Sequence, residues 1–172
     1  MSRFESHPEL PLDPDLEYLG PGRPDHLELR HVLAVAGGGF LGCAARYGVV
    51  SAWTVSAAAF PLPVFAVNVA GAFVLGALLE TIARRGPDAG LRRTLRLLCG
   101  TGFCGGFTTY STLAMGTFLL LRGRHLALAL GYVIASVAAG LAAATIGILV
   151  ASARHRRQEL VAVPAVAREA RR

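Results

Sequence analysis

The sequence predicts an all-α membrane protein of four transmembrane helices, with the third helix broken mid-membrane. Three observations carry that expectation. The chain is 53% hydrophobic and only 16% charged, whereas a soluble domain usually carries about a quarter charged residues. The charges are also segregated: residues 1–30 hold seven of the eleven acids, and between Val32 and Val150 there are only Glu80 and Asp88. Finally, the third apolar run contains Cys99-Gly-Thr-Gly-Phe-Cys-Gly-Gly-Phe-Thr-Thr-Tyr-Ser-Thr-Leu113, four glycines followed by five consecutive hydroxyl side chains. A helix that only crosses a bilayer has no use for either. Glycine lowers the cost of leaving helical geometry, and each hydroxyl needs a hydrogen-bond partner where water is scarce.

Residues 1–30, rich in Pro, Asp and Glu, lack the basic start and apolar core of a secretory signal and read as a disordered tail. The first span, about 32–50, is long enough for a hydrocarbon core of ~30 Å. Its Gly38 and Gly42 form a GxxxG face for close helix packing. An uncharged connection, 51–60, leads to Pro61-Leu-Pro63, which suits the first turn of the second span, about 61–82. An arginine-rich loop follows. The third run, 95–121, is roughly 40 Å if helical throughout, longer than the core requires, which agrees with a discontinuous helix. The fourth span, about 126–150, carries no charge, and Tyr132, Ser136, Gly140 and Ala144 share one of its faces. The domain thus covers 31–152, followed by a basic tail, 153–172.

Four spans put the two termini and the 83–95 loop on one side. Near the membrane that side holds nine arginines (30, 84, 85, 92, 93, 96, 154, 156, 157), against Arg46, Arg122 and Arg124 on the other. The positive-inside bias predicts that both termini are cytoplasmic. All 17 basic residues are arginine. They lie between or beyond apolar runs rather than along a solvated face, so no nucleic-acid partner is expected. Cys43, Cys99 and Cys104 lack metal-ligand spacing and read as packing residues. Two GxGxxG matches, at Gly37–Gly42 and Gly100–Gly105, lack the acid about twenty residues on that a dinucleotide fold needs. A cofactor-dependent enzyme is therefore not expected.

The polar residues inside the spans remain. Arg46 either snorkels to the headgroups or attracts anions at a vestibule. Asn68 either clamps two helices or donates its amide N–H groups to an anion. Tyr132 and Ser136 are either packing residues or part of a polar track. No acid lies in the first, third or fourth span, and Glu80 sits at a helix end. Proton-coupled export usually uses an intramembrane carboxylate or histidine. The donors present (Arg, Asn, Thr, Ser, Tyr) point instead to a small anion.

Three ordered motifs on successive spans are similar to those of the CrcB/Fluc family of fluoride channels, over about residues 31–152. They are Gly38-Gly-Phe-Leu-Gly-Cys-Ala-Ala-Arg46-Tyr47, Val67-Asn68-Val-Ala-Gly71-Ala-Phe-Val-Leu-Gly76, and Gly102-Phe-Cys-Gly-Gly-Phe-Thr108-Thr109-Tyr110-Ser111-Thr112. The resemblance implies an antiparallel dual-topology dimer with two pores, each using residues of both subunits. It implies a structural sodium ion (Na+) at the dimer centre, held by main-chain carbonyls that map to Gly105 and Thr108. It maps the fluoride pathway to Arg46, Asn68, Thr109, Tyr110, Ser111, Thr112, Leu113, Tyr132 and Ser136. Fluoride holds its water tightly, and hydroxyls, amides and the positive edge of an aromatic ring can replace that water.

The sequence departs from the family pattern at three places. Tyr110 and Leu113 stand where phenylalanines are common, Gly140 replaces a hydroxyl, and Gly116 stands where an acid is often found. Homodimer and heterodimer with an oppositely oriented homologue both stay open. The expectation is a passive fluoride channel of the cell membrane that lowers intracellular fluoride. The alternatives are a small four-helix multidrug or metabolite exporter and a non-conducting partner subunit of a heteromeric channel.

Overall fold

The computed structural model describes residues 28–53 and 59–169, with side chains through Gln158. Most of the acidic tail and half of the 51–60 connection fall outside the described residues. Those that are described form helices and turns, with no strand among them. Helix α1 spans Leu29–Ala52 and α2 spans Leu62–Ala83. A short α3, Leu91–Leu95, continues into a π-helical stretch, Arg96–Cys104, and then a single turn α4, Gly105–Phe107. Helix α5 spans Tyr110–Arg122 and α6 spans Leu126–Glu169. The first two and the part of α6 to Gln158 are long and apolar enough to cross a membrane.

Helix α2 starts where its prolines predict, with Pro63 in the first turn. Helix α6 runs well past Val150 into the basic tail. No glycine or proline lies between Ile148 and Val163, and Ala, Arg, Gln, Glu and Leu all favour helix, so no residue there stops it.

The run from Leu91 to Arg122 is interrupted at two residues. Thr108 (φ −78°, ψ 159°) and Thr109 (φ −152°, ψ 125°) are both extended. The glycines read as lowering the cost of a break are not where the chain leaves the helix: Gly100, Gly102, Gly105 and Gly106 are all helical. They allow close approach instead. A Cβ on Gly38 would strike the Leu98 carbonyl, one on Gly42 the Phe103 carbonyl, and one on Gly106 the Gly39 carbonyl. A Cβ on Gly102 would lie 2.7 Å from the Val35 carbonyl oxygen. Two small-xxx-small faces, Gly38/Gly42 and Gly102/Gly106, thus interlock backbone to backbone.

Helices α2 and α6 meet in the same way. A Cβ on Gly76 would strike the Ala144 carbonyl, and one on Gly147 the Phe73 carbonyl. The loop that leaves α2 is fixed at its charged end. Gly86 and Gly90 take positive φ, and Asp88 accepts from Arg96 Nε at 2.9 Å, holding the loop to the start of the π-helical stretch. The side-chain core lies at the opposite end. Leu120, Ala129 and Tyr132 are buried, with Phe60, Phe65, Leu113 and Leu128 packed on them. Phe60 meets Tyr132 edge to face at 5.1 Å. Elsewhere large apolar side chains such as Phe40, Leu41, Ile134 and Leu141 face outward, as lipid or a second subunit requires.

Candidate functional site

The interruption at Thr108–Thr109 leaves backbone groups to be satisfied, and α2 supplies the partner. Asn68 Nδ2 donates to the Thr109 carbonyl at 3.1 Å, and Asn68 Oδ1 accepts from the Thr109 N–H at 2.8 Å. One amide therefore closes both peptide groups of a single residue. Three residues on, Gly71 gives Thr108 room, since a Cβ there would strike the Thr108 methyl. Asn68 and Gly71 share one face of α2, so this helix is shaped to receive the break.

The hydroxyls divide between securing the backbone and forming a cluster. Thr108 Oγ1 donates back to the Cys104 carbonyl at 2.8 Å, alongside the Thr108 N–H at 2.9 Å. Thr109 is the N-cap of α5, its Oγ1 accepting from the Thr112 N–H at 3.2 Å. The same Oγ1 lies 3.1 Å from the hydroxyls of both Ser111 and Thr112. Three hydroxyls therefore meet within one turn, at the N-terminal end of α5, where backbone N–H groups point outward.

Four carbonyls, those of Gly105, Gly106, Phe107 and Thr108, lose their helical donors at the break. In a continuous helix the Thr109 N–H would close onto the Gly105 carbonyl and the Thr112 N–H onto the Thr108 carbonyl. Here the first goes to Asn68 and the second to Thr109 Oγ1. The carbonyls of Gly105 and Thr108 are thus two of those freed, one in the turn before the break and one at the break itself.

The other candidate residues surround this arrangement unequally. Tyr110 is 83% exposed and Ser111 is exposed, so both face away from the chain's own core. Leu113 faces inward and packs on the Tyr132 cluster. Tyr132 is fully buried, Ser136 nearly so, and neither hydroxyl meets a hydrogen-bond partner among the described residues. The tyrosine ring fits because Gly116 is small: a Cβ there would lie 3.4 Å from the ring and 3.1 Å from Pro61. Among the described residues Arg46, on α1, reaches only Cys43, its guanidinium 3.6 Å from the sulfur. The break thus gathers Asn68, Thr108, Thr109, Ser111 and Thr112. Tyr132 and Leu113 pack together in the core, Ser136 is buried on α6, and Arg46 lies on another helix.

Sequence reasoning missed Gly71 and the N-capping role of Thr109. The spacing of Gly71 three residues after Asn68, and a threonine ahead of Tyr-Ser-Thr, were the signals available. Glu80 lies outside this site. At the end of α2 it accepts from Arg84 and from Ser152 Oγ, the latter at 2.6 Å.

Residues 33–148 match the family model described as CrcB-like protein, Camphor Resistance (CrcB). A protein of Leifsonia xyli subsp. xyli named fluoride-specific ion channel FluC 2 is 46% identical over 130 residues, 76% of this chain and 89% of the relative. One of Rhodococcus jostii, also named fluoride-specific ion channel FluC 2, is 47% identical over 116 residues, 67% of this chain and 94% of the relative. A third, named fluoride-specific ion channel FluC 1, from Mycolicibacterium paratuberculosis, is 41% identical over 116 residues, 67% and 86% of the two chains. The matched region takes in α1, α2, the Asn68-pinned break and α6 to Ile148, and the chain belongs to the CrcB family.

Proposed function

We propose that this chain is a subunit of a fluoride-selective channel that lets fluoride leave the cytoplasm passively and so confers fluoride resistance. The observation that carries the reading is the hydroxyl cluster at a break pinned by Asn68, in a chain whose relatives are named fluoride-specific ion channels. A small anion sheds its water only where donors replace it. Thr109, Ser111 and Thr112 offer hydroxyls, and Asn68 keeps a second amide hydrogen beyond the one given to Thr109. Tyr110 can present its ring edge and hydroxyl, Tyr132 and Ser136 continue the donors along α6, and Arg46 draws anions at the mouth.

The pathway is assigned to an interface between two oppositely oriented subunits. Tyr110, Ser111 and Gly105 are exposed on one chain, which gives the path one wall. The numbered names FluC 1 and FluC 2 among relatives fit an assembly of two different chains. In this reading the run Leu91–Arg122 is the third of four spans, its interruption lies at membrane depth, and both termini are cytoplasmic. The freed carbonyls of Gly105 and Thr108 fit a hard monovalent cation such as sodium, since main-chain oxygens released at a broken helix are suited to that role. Sodium bound there would supply a positive charge that offsets the repulsion met by an anion in a low dielectric.

Liposomes loaded with fluoride test the reading. Purified protein, alone or with an oppositely oriented homologue, is expected to give a fluoride leak that chloride does not share. Folded protein without a leak in either arrangement refutes it. The exporter alternative depends on Glu80, and that carboxylate is already engaged by Arg84 and Ser152 at a helix end. Glu80→Gln is expected to leave fluoride flux unchanged across pH.

A further inference from the structure

Above the tight crossing at Gly76 and Gly147, the arginine-rich ends of α2 and α6 leave an open cleft of about 310 Å³. That is the scale of a small-ligand pocket. Its lining changes character along the helices rather than around them. On α2, Phe73, Ala77 and Thr81 recur every four residues and so stand in one row, and Arg85 follows in the turn just beyond the helix. The helical row spans about 12 Å at the rise of 1.5 Å per residue. On α6 the apolar Val150 gives way to Arg154. The floor of the cleft is therefore hydrocarbon and its rim carries two guanidiniums.

Neither guanidinium is neutralised by an acid among the described residues. The acids described at this end are each taken: Glu28 by Arg30 at 2.7 Å, Asp88 by Arg96 at 2.7 Å, and Glu80 by Arg84. Arg85 and Arg154 are exposed and have no hydrogen-bond or ion-pair partner among the described residues. Two unpaired guanidiniums over an apolar slot, on a membrane protein at the end where its arginines collect, fit a group that is anionic at one end and apolar at the other. A soluble anion would leave the Phe73–Ala77–Val150 floor unfilled, and a neutral lipid would leave the arginines unsatisfied.

We propose that this cleft binds an anionic phospholipid, its phosphate between Arg85 and Arg154 and its first acyl carbons over Phe73 and Ala77. The inference rests on the chain being a membrane protein and not on its conducting fluoride. A phospholipid bound here would tie the end of α2 to α6, on which the Glu80–Arg84–Ser152 contacts also converge.

Native mass spectrometry of the full chain tests it, with phosphatidylglycerol and phosphatidylcholine of matched acyl chains. Wild-type protein is expected to retain phosphatidylglycerol at least tenfold better, and equal retention overturns the proposal without recourse to any variant. Arg85→Gln with Arg154→Gln is expected to weaken phosphatidylglycerol binding about thirtyfold, two contacts of the strength usual for arginine at an anionic bilayer surface. Arg156→Gln with Arg157→Gln, on α6 but outside the cleft, is expected to cost less than threefold. Equal losses in the two double variants would mean general attraction to a basic surface and would overturn a built site. Glycerol 3-phosphate displacing the lipid at equal concentration would do the same, because it would show that the apolar floor contributes nothing. Fluoride flux reports separately on the channel reading, so the two can fail independently.

Discussion

The two halves of the stretch Cys99–Leu113 are held by opposite means. Before Phe107 the chain stays helical and is gripped through its backbone, with Gly102 and Gly106 locked against Gly38, Gly39 and Val35 of α1. After Phe107 it leaves the helix and is gripped through side chains, by Asn68 from α2 and by Thr109 capping α5. The first half has almost no room to move. The second presents hydroxyls, the freed Thr108 carbonyl and an exposed tyrosine. Rigid packing on one side is what lets the other side keep polar groups in fixed positions rather than spend them on holding the fold together.

Breaking the rigid half is expected to have the largest effect. Gly38→Val puts a side chain against the Leu98 carbonyl and the Phe103 amide, backbone that cannot move aside cheaply. A loss of about 3 kcal/mol or more is expected, enough to abolish monodisperse protein after detergent extraction. A Cβ on the neighbouring Gly37 would meet nothing within 4 Å. Gly37→Ala is expected to be neutral or slightly stabilising in the same thermal-melting assay. Equal damage at both positions would mean that glycine matters here for some reason other than close approach.

The break itself comes next. Asn68→Ala removes two hydrogen bonds and leaves both peptide groups of Thr109 without their partner, for about 2 kcal/mol. Asn68→Asp keeps the acceptor for the Thr109 N–H but sets an oxygen against the Thr109 carbonyl and places a negative charge beside the hydroxyls. It is expected to lose less stability than Asn68→Ala yet more flux, at least tenfold in liposome efflux. If Asn68→Asp conducts as well as wild type, the amide is only a clamp.

How much of this was legible in the sequence differs between the same two halves. The helical class and three of the four expected spans were readable because hydropathy is a local signal. The position of the break was harder. Glycine in a membrane segment signals either a loosened helix or a close-packed one, and only the partner helix decides which. Gly38 and Gly42 on α1 were read as a packing face, but nothing in the chain's order says that Gly102 and Gly106 are what they pack against. Asn68 and Thr109 are likewise 41 positions apart, and their pairing follows from the tertiary arrangement. The resemblance to fluoride channels supplied roles for residues before their neighbours were known. It could not show that Asn68 frees the Gly105 carbonyl by taking the Thr109 N–H.

Thr109 allows a finer cut. Thr109→Ala removes the N-cap of α5 and the centre of the hydroxyl cluster, for about 1 kcal/mol in stability. Thr109→Ser keeps the oxygen and is expected to recover most of that loss and most of the flux. Failure of serine to rescue would assign the residue's importance to its methyl group.

Tyr132→Phe is expected to change stability least, and its sign carries the information. The ring is fully buried against Phe60 and Leu113, so phenylalanine keeps the packing. The hydroxyl meets no partner among the described residues. If it does nothing but pack, removing a desolvated and unpaired donor stabilises the protein by up to about 1 kcal/mol, and flux is unaltered. If it lines the fluoride path, the same variant is equally or more stable and yet conducts severalfold less. A buried hydroxyl that costs stability is retained only where something else uses it, and the joint measurement of melting and efflux separates those cases in one variant. The second outcome is the expected one. Ser136, also buried, lies one turn along the same face and likewise keeps an unpartnered hydroxyl. Two such groups in a row are poor packing and a serviceable track for an anion that needs donors.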